Sequence, residues 1–149
     1  MGLFDKMMAY ARQFKREASV SDEQASDAAR QSPRERELLS ELARAVEAQG
    51  TGPSAPVRYA LHFSGEVQFV GFRYTNMRLA NERGLTGWVH NEDDGTVTME
   101  IQGPPATLGA HLGMLHAYYS NYGNLIWLET AVAQEPRADE EEFTVADPY

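Results

Sequence analysis

The sequence predicts an α+β protein in which a helical arm precedes a sheet-containing domain, and three stretches carry that expectation. Residues 59–64 alternate, with Tyr59, Leu61 and Phe63 on one side and Ala60, His62 and Ser64 on the other, the period of a half-buried strand. Residues 72–83 lack Pro and Gly and bring Phe72, Leu79 and Ala80 onto one side at helical spacing before Gly84 stops them. Ahead of both, Leu38, Leu39, Leu42, Ala43 and Val46 form one helical face. At 149 residues the chain fits one domain with an appendage. The expected division is a helical extension over 1–50, a linker over 51–56 and a compact domain over 57–149.

Taken in order, the chain opens with Leu3, Phe4, Met7, Met8, Ala11 and Phe14 at helical spacing, and Lys6, Arg12, Lys15 and Arg16 stand elsewhere on that helix. Such a weakly basic amphipathic helix can lie on a membrane surface or dock on a partner, but packing on its own domain or on a second copy is the favoured reading. Membrane-surface contact by residues 1–17 is the weaker one. Position 6 is Lys6, so the N-myristoylation pattern fails. Residues 19–32 are polar and read as linker or a weak solvated helix. Ser32-Pro33 then has the form of an N-cap followed by Pro at the first helical position, and the helix it starts ends near Gly50. Two one-sided apolar helices need a surface to cover them, and a homodimer through these N-terminal helices would supply it.

Further strands are expected over 85–91, 96–102 and 125–133, with a short last one over 143–146. Residues 91–95 form a hairpin turn with Gly95 at positive φ. A second helix starts at Pro104-Pro105 and carries Leu108, Leu112, Leu115 and Tyr119 on one stripe, a core face. Tyr118, Tyr119 and Tyr122 cluster at its end, where packing against the sheet is favoured over a role in substrate access or at an interface. His111 and His116 are five apart, not the four that would align two metal ligands, so no metal site is expected. Trp88 reads as a sheet-packing residue. His90 adjoins Asn91, and strand alternation turns it to the opposite face.

Composition narrows the function. There are no cysteines, which removes disulfides, thiolate catalysis and Cys-based metal sites. No apolar run approaches the ~18 residues of a membrane span, and a cytoplasmic location is the default. The net charge is −9, and from Val57 onward five arginines face thirteen acidic residues, a net −8. Such a field opposes phosphate backbones, so nucleic acid is not expected as a partner.

The chemistry sits between the first strand and the helix after it. GEVQFVGFR, residues 65–73, leads from a strand end into a helix N-terminus. Backbone N–H groups of a tight loop and of a helix start form a concave anion site favoured by the helix dipole. Arg73 falls in the first helical turn. A cation there opposes the dipole, a penalty that a bound anion reverses, and its planar guanidinium can fork onto two phosphate oxygens. No Gly-Lys-Ser/Thr follows, so the loop is not a nucleotide P-loop. VGFRY echoes an RNA-recognition strand motif, but it opens a helix in an acidic domain.

GEVQFVGFR, with Ala80, GLTGWVHN at 84–91 and DDGTV at 93–97, closely resembles the acylphosphatase signature in two blocks at the expected separation. The resemblance implies a ferredoxin-like βαββαβ sandwich, an antiparallel sheet with two helices on one face. It implies hydrolysis of the carboxyl-phosphate anhydride of small acyl phosphates, with no metal or organic cofactor. The phosphoryl group would be held by the loop amides of Glu66, Val67, Gln68, Phe69, Val70, Gly71 and Phe72 and by Arg73, and Asn91 would orient the attacking water. Phe69 stands where the family has its first internal glycine, and a side chain at positive φ costs roughly 1–2 kcal/mol. Glu66 stands where the family often carries Arg or Lys, and it repels substrate only if turned inward. The alternative is an anion-binding adaptor that keeps the cradle without turnover and binds partners through the N-terminal helices.

Overall fold

The structure is a computed structural model that describes residues 31–52, 54–68 and 71–146. The helix expected at the N-terminus, and with it any membrane or partner contact of residues 1–17, lies outside the described residues. The first described helix, α1 (Pro33–Gln49), starts as its sequence dictates, with Ser32 Oγ accepting from Glu35 N at 2.9 Å and Pro33 in the first turn. Strand β1 (Val57–Gly65) follows, then α2 (Phe72–Glu82), β2 (Thr86–Asn91), β3 (Val97–Gly103), α3 (Pro105–Asn121), β4 (Ile126–Gln134) and β5 (Phe143–Val145).

The strands form one sheet in the order β4-β1-β3-β2-β5. Its first four members are the ferredoxin-like arrangement, antiparallel throughout. The sheet as a whole is mixed, which corrects the expected antiparallel one: β5 pairs parallel to β2, with Gly87 opposite Phe143. The cause is the path of the chain between β4 and β5. Gln134, the last residue of β4, lies beside Arg58, and the connection then crosses the outer face of the sheet. It is tied down there by the buried Arg58 guanidinium, which donates to Glu140 at 2.6 and 3.1 Å, and by Gln102, which donates to Arg137 O at 2.8 Å. The chain thus reaches the far edge at the end where β2 begins, and a strand entered there runs with β2.

The inner face carries Leu61, Phe63, Val89, Val97, Met99, Ile101 and Leu128, all buried against Phe72 and Leu79 of α2 and Leu108, Leu112 and Leu115 of α3. Leu38 and Leu42 of α1 join this same core. Arg34 fastens α1 to the sheet edge by donating to Ala131 O at 2.7 and 3.3 Å. The apolar face of α1, for which self-pairing was one expected cover, is therefore covered within the chain by α3 and β4. No helix among the described residues is long and apolar enough to cross a membrane.

Packing α1 on α3 buries Glu35, whose Oε2 lies 3.6 Å from His116 Nδ1. Burial pushes the Glu35 carboxyl up to about 7, against a smaller opposing pull from Arg36. Since the folded chain holds this proton more tightly than the unfolded one, stability is retained below the ordinary value of 4.5 and lost as pH rises through 7. Glu35→Gln is expected to raise unfolding free energy by roughly 2–3 kcal/mol at pH 8 and to change it little at pH 4. Urea midpoints at the two pH values check this; an equal shift at both would show that ionisation is not the cause.

Candidate active site

The inner-face row nearest the end of β1 reads Leu128, Phe63, Val97, Asn91 from β4 across β1 and β3 to β2. The β1–α2 loop, the β2–β3 hairpin and the turn before β4 meet at this end. Asn91 shares the inner face with Val89, while His90 is turned outward, with Nε2 3.9 Å from Glu92 Oε1. Trp88 also lies on the outer face, away from the loop.

Helix α2 begins at this same end. Its N-cap, Gly71, is left-handed (φ 75°, ψ 18°) and offers no side-chain cap, and no acidic residue stands in the first turn. The first intrahelical bond runs from Thr75 N to Gly71 O at 2.9 Å, so the amides of Phe72, Arg73 and Tyr74 precede the ladder. Their dipoles sum toward an anion. Arg73 is half-buried with its guanidinium carbon 5.6 Å from the centroid of the Tyr74 ring. Phe72 points inward, packed on Phe63 and Tyr119 at ring separations of 5.2 and 5.5 Å, which fixes the start of the helix.

The loop before α2 is held on both flanks. Phe69 and Val70 lie outside the described residues. Val67 is buried in the core and anchors the loop from beneath. The Glu66 amide donates to Leu125 O at 2.6 Å, which narrows the expected cradle: that N–H continues the β1–β4 ladder and is turned from any anion held by α2. The Glu66 carboxylate points the same way, accepting from Asn124 Nδ2 at 3.2 Å and Leu125 N at 3.4 Å. On the other flank Gln68 Nε2 donates to Glu92 O at 2.8 Å and Thr96 O at 3.0 Å, tying the loop to the hairpin that begins directly after Asn91.

Two contributions escape sequence reasoning. The expectation for Gln68 concerned its amide, yet its side chain is what joins the two halves of the site, and nothing in its local pattern marks that. Asn76 is fully buried beneath α2, donating to Phe72 O at 2.8 Å and accepting from His111 Nε2 at 3.1 Å. A polar residue on the 72–79–80 apolar stripe was the available signal. Burial, with a smaller push from Arg83, holds His111 down to about 3, so it stays neutral as a structural donor. Among the described residues no group of three or more His, Cys, Asp or Glu could hold a metal.

The β1–α2 loop and helix start, with an asparagine at the end of β2 two strands away, are set at one end of this α+β sandwich. The acylphosphatase family model matches residues 59–145, and the chain belongs to that family. It is 42% identical over 84 residues to an acylphosphatase of Geobacillus kaustophilus (strain HTA426), covering 54% of this chain and 84% of that one. An acylphosphatase of Pediococcus pentosaceus is 45% identical over 65 residues, 44% of this chain and 72% of its own. Among solved structures, acylphosphatase from Bacillus subtilis superposes with a TM-score of 0.50 at 25% identity, covering 61% of this chain and 99% of that chain.

Proposed function

We propose that the protein is an acylphosphatase that cleaves the carboxyl-phosphate anhydride of small acyl phosphates, working in the cytoplasm and without a metal. Family membership supports the activity. The observation that carries the assignment of roles is the Asn91 amide. It stands on the inner face at the sheet end where α2 begins, and its Oδ1 is buried with no hydrogen-bond partner among the described residues. An acceptor so placed can accept a hydrogen bond from a water and aim the water's oxygen at a phosphorus held by the α2 amides and Arg73.

The reaction asks little more of the protein. Water oxygen bonds to phosphorus as the bond from phosphorus to the acyl oxygen breaks, and its electron pair leaves with the carboxylate. The water proton passes to the phosphate product or to solvent. A carboxylate leaves without prior protonation, and a loose transition state needs chiefly positioning and neutralisation of the equatorial oxygens. The α2 amides and the Arg73 fork supply the second and Asn91 the first. Gln68 keeps these two parts in register through Glu92 and Thr96.

Benzoyl phosphate hydrolysis with EDTA present tests the reading. The intact chain is expected to turn over, and Asn91→Ala to lose about 10²-fold in kcat while inorganic phosphate inhibits it unchanged, because misplacing the water leaves anion binding intact. Phosphate binding without hydrolysis by the intact chain would sink the enzyme in favour of an anion-binding module. Loss of turnover with EDTA would sink metal independence.

A further inference from the structure

We propose that the acyl side of the site is an aromatic, anion-excluding subsite made by Tyr118, Tyr122, Leu125 and the Glu66 carboxylate, selecting uncharged apolar acyl phosphates over those whose acyl chain carries a second negative charge. The proposal rests on the acylphosphatase reading and on Asn91 as the holder of water.

In-line displacement fixes where the acyl group goes. Attacking and leaving oxygens stand on opposite sides of phosphorus. Asn91 of β2 lies on one flank of the loop, two strands from β1, and β4 lies on the other. Water on the Asn91 side therefore directs the departing carboxylate toward β4. What stands there is the turn joining α3 to β4, close against the loop because Leu125 O accepts from Glu66 N at 2.6 Å.

That turn is apolar and open. Leu125 is 44% and Tyr122 68% exposed, an unusual arrangement for large apolar groups beside an acidic domain's anion site. Their position is not loose. The Tyr122 ring lies 5.1 Å from Tyr118, Tyr118 lies 4.9 Å from Tyr119, and Tyr119 lies 5.5 Å from Phe72, the first residue of α2. The exposed rings are thus braced against the base of the cradle and present π-faces at little entropic cost. Glu66 adds the second criterion. Asn124 Nδ2 and Leu125 N fix its carboxylate on this flank, where a bound acyl carboxylate would meet a like charge. An aromatic or aliphatic acyl group adds no charge beyond the departing carboxylate that every substrate shares, and its apolar part can lie against the rings and the Leu125 side chain.

The test compares kcat/KM for benzoyl, acetyl and succinyl phosphate in the intact chain and in Tyr122→Ala and Glu66→Gln. Ratios between substrates are insensitive to the fraction of enzyme folded. Tyr122→Ala is expected to lower the benzoyl-to-acetyl ratio about five- to ten-fold, and Glu66→Gln to raise the succinyl-to-acetyl ratio about three- to five-fold, an effect that shrinks at high salt. Hydrolysis of all three substrates at ratios that neither variant alters overturns the subsite and leaves the enzyme standing. Hydrolysis of none by the intact chain overturns both.

Discussion

Arg73→Ala is expected to lower kcat/KM for benzoyl phosphate by about 10²–10³-fold, the loss of roughly 3–4 kcal/mol of transition-state stabilisation that removal of one preorganised donor brings elsewhere. The side chain stands in the first turn of α2, where the helix dipole opposes a cation and favours an anion and no acidic residue stands in the turn. A bound phosphoryl group and the guanidinium attract one another, and that attraction grows as charge spreads over the equatorial oxygens. Arg73→Lys is expected to recover only part of the rate, because a point charge cannot fork onto two oxygens. Inhibition by inorganic phosphate should weaken in both variants, which separates Arg73 from Asn91. The ring contact of the guanidinium at Tyr74 is worth about 0.5–1 kcal/mol in a half-exposed place, and the melting temperature of each variant separates loss of folding from loss of chemistry. A rate within three-fold of the intact chain would remove Arg73 from the site.

The parts of this molecule legible from sequence are those governed by local period and by short-range backbone chemistry. The strand at Tyr59, Leu61 and Phe63, the helix bounded by Gly71 and Gly84, and the Ser32-Pro33 start of α1 all follow from residues a few positions apart. Placing Arg73 and Asn91 at the same end follows from two sequence blocks and strand alternation. What stayed hidden depends on partners distant in the chain. The direction of β5 is set by a connection pinned through Arg58 and Glu140, 82 positions apart. The Glu66 amide is claimed by Leu125, 59 positions on, and no pattern within the GEVQFVGFR loop foretells it. Asn76 and His111 meet across 35 positions as a buried pair, each looking unremarkable within its own helix. The functional loop is therefore local in its motif and non-local in its support.

Gly87→Ala is expected to be the most destabilising single methyl in the chain's central strands, by about 3–4 kcal/mol, since it joins backbone strain to an unavoidable overlap. Gly87 lies in β2 between β3 and β5, opposite both Ile101 and Phe143. Its φ is 138°, and a Cβ built there would fall 1.9 Å from Glu100 O and 2.8 Å from Glu100 C. Those atoms are backbone, so no rotamer change makes room; β2 and β3 must separate or β2 must twist. Gly95 is the control, with φ of 92° in the hairpin and nothing within 4 Å of the added carbon, so Gly95→Ala carries the conformational term of about 1 kcal/mol alone. The difference between the two melting temperatures isolates the overlap, and a shift for Gly87→Ala no larger than that for Gly95→Ala would show that the strands yield freely. Because Asn91 lies four residues further along β2, any accommodation by twisting moves the amide proposed to aim the water. The Gly87→Ala protein, assayed well below its melting temperature, should therefore lose kcat while still binding inorganic phosphate at the start of α2, which ties the closeness of two strands to the placement of one oxygen.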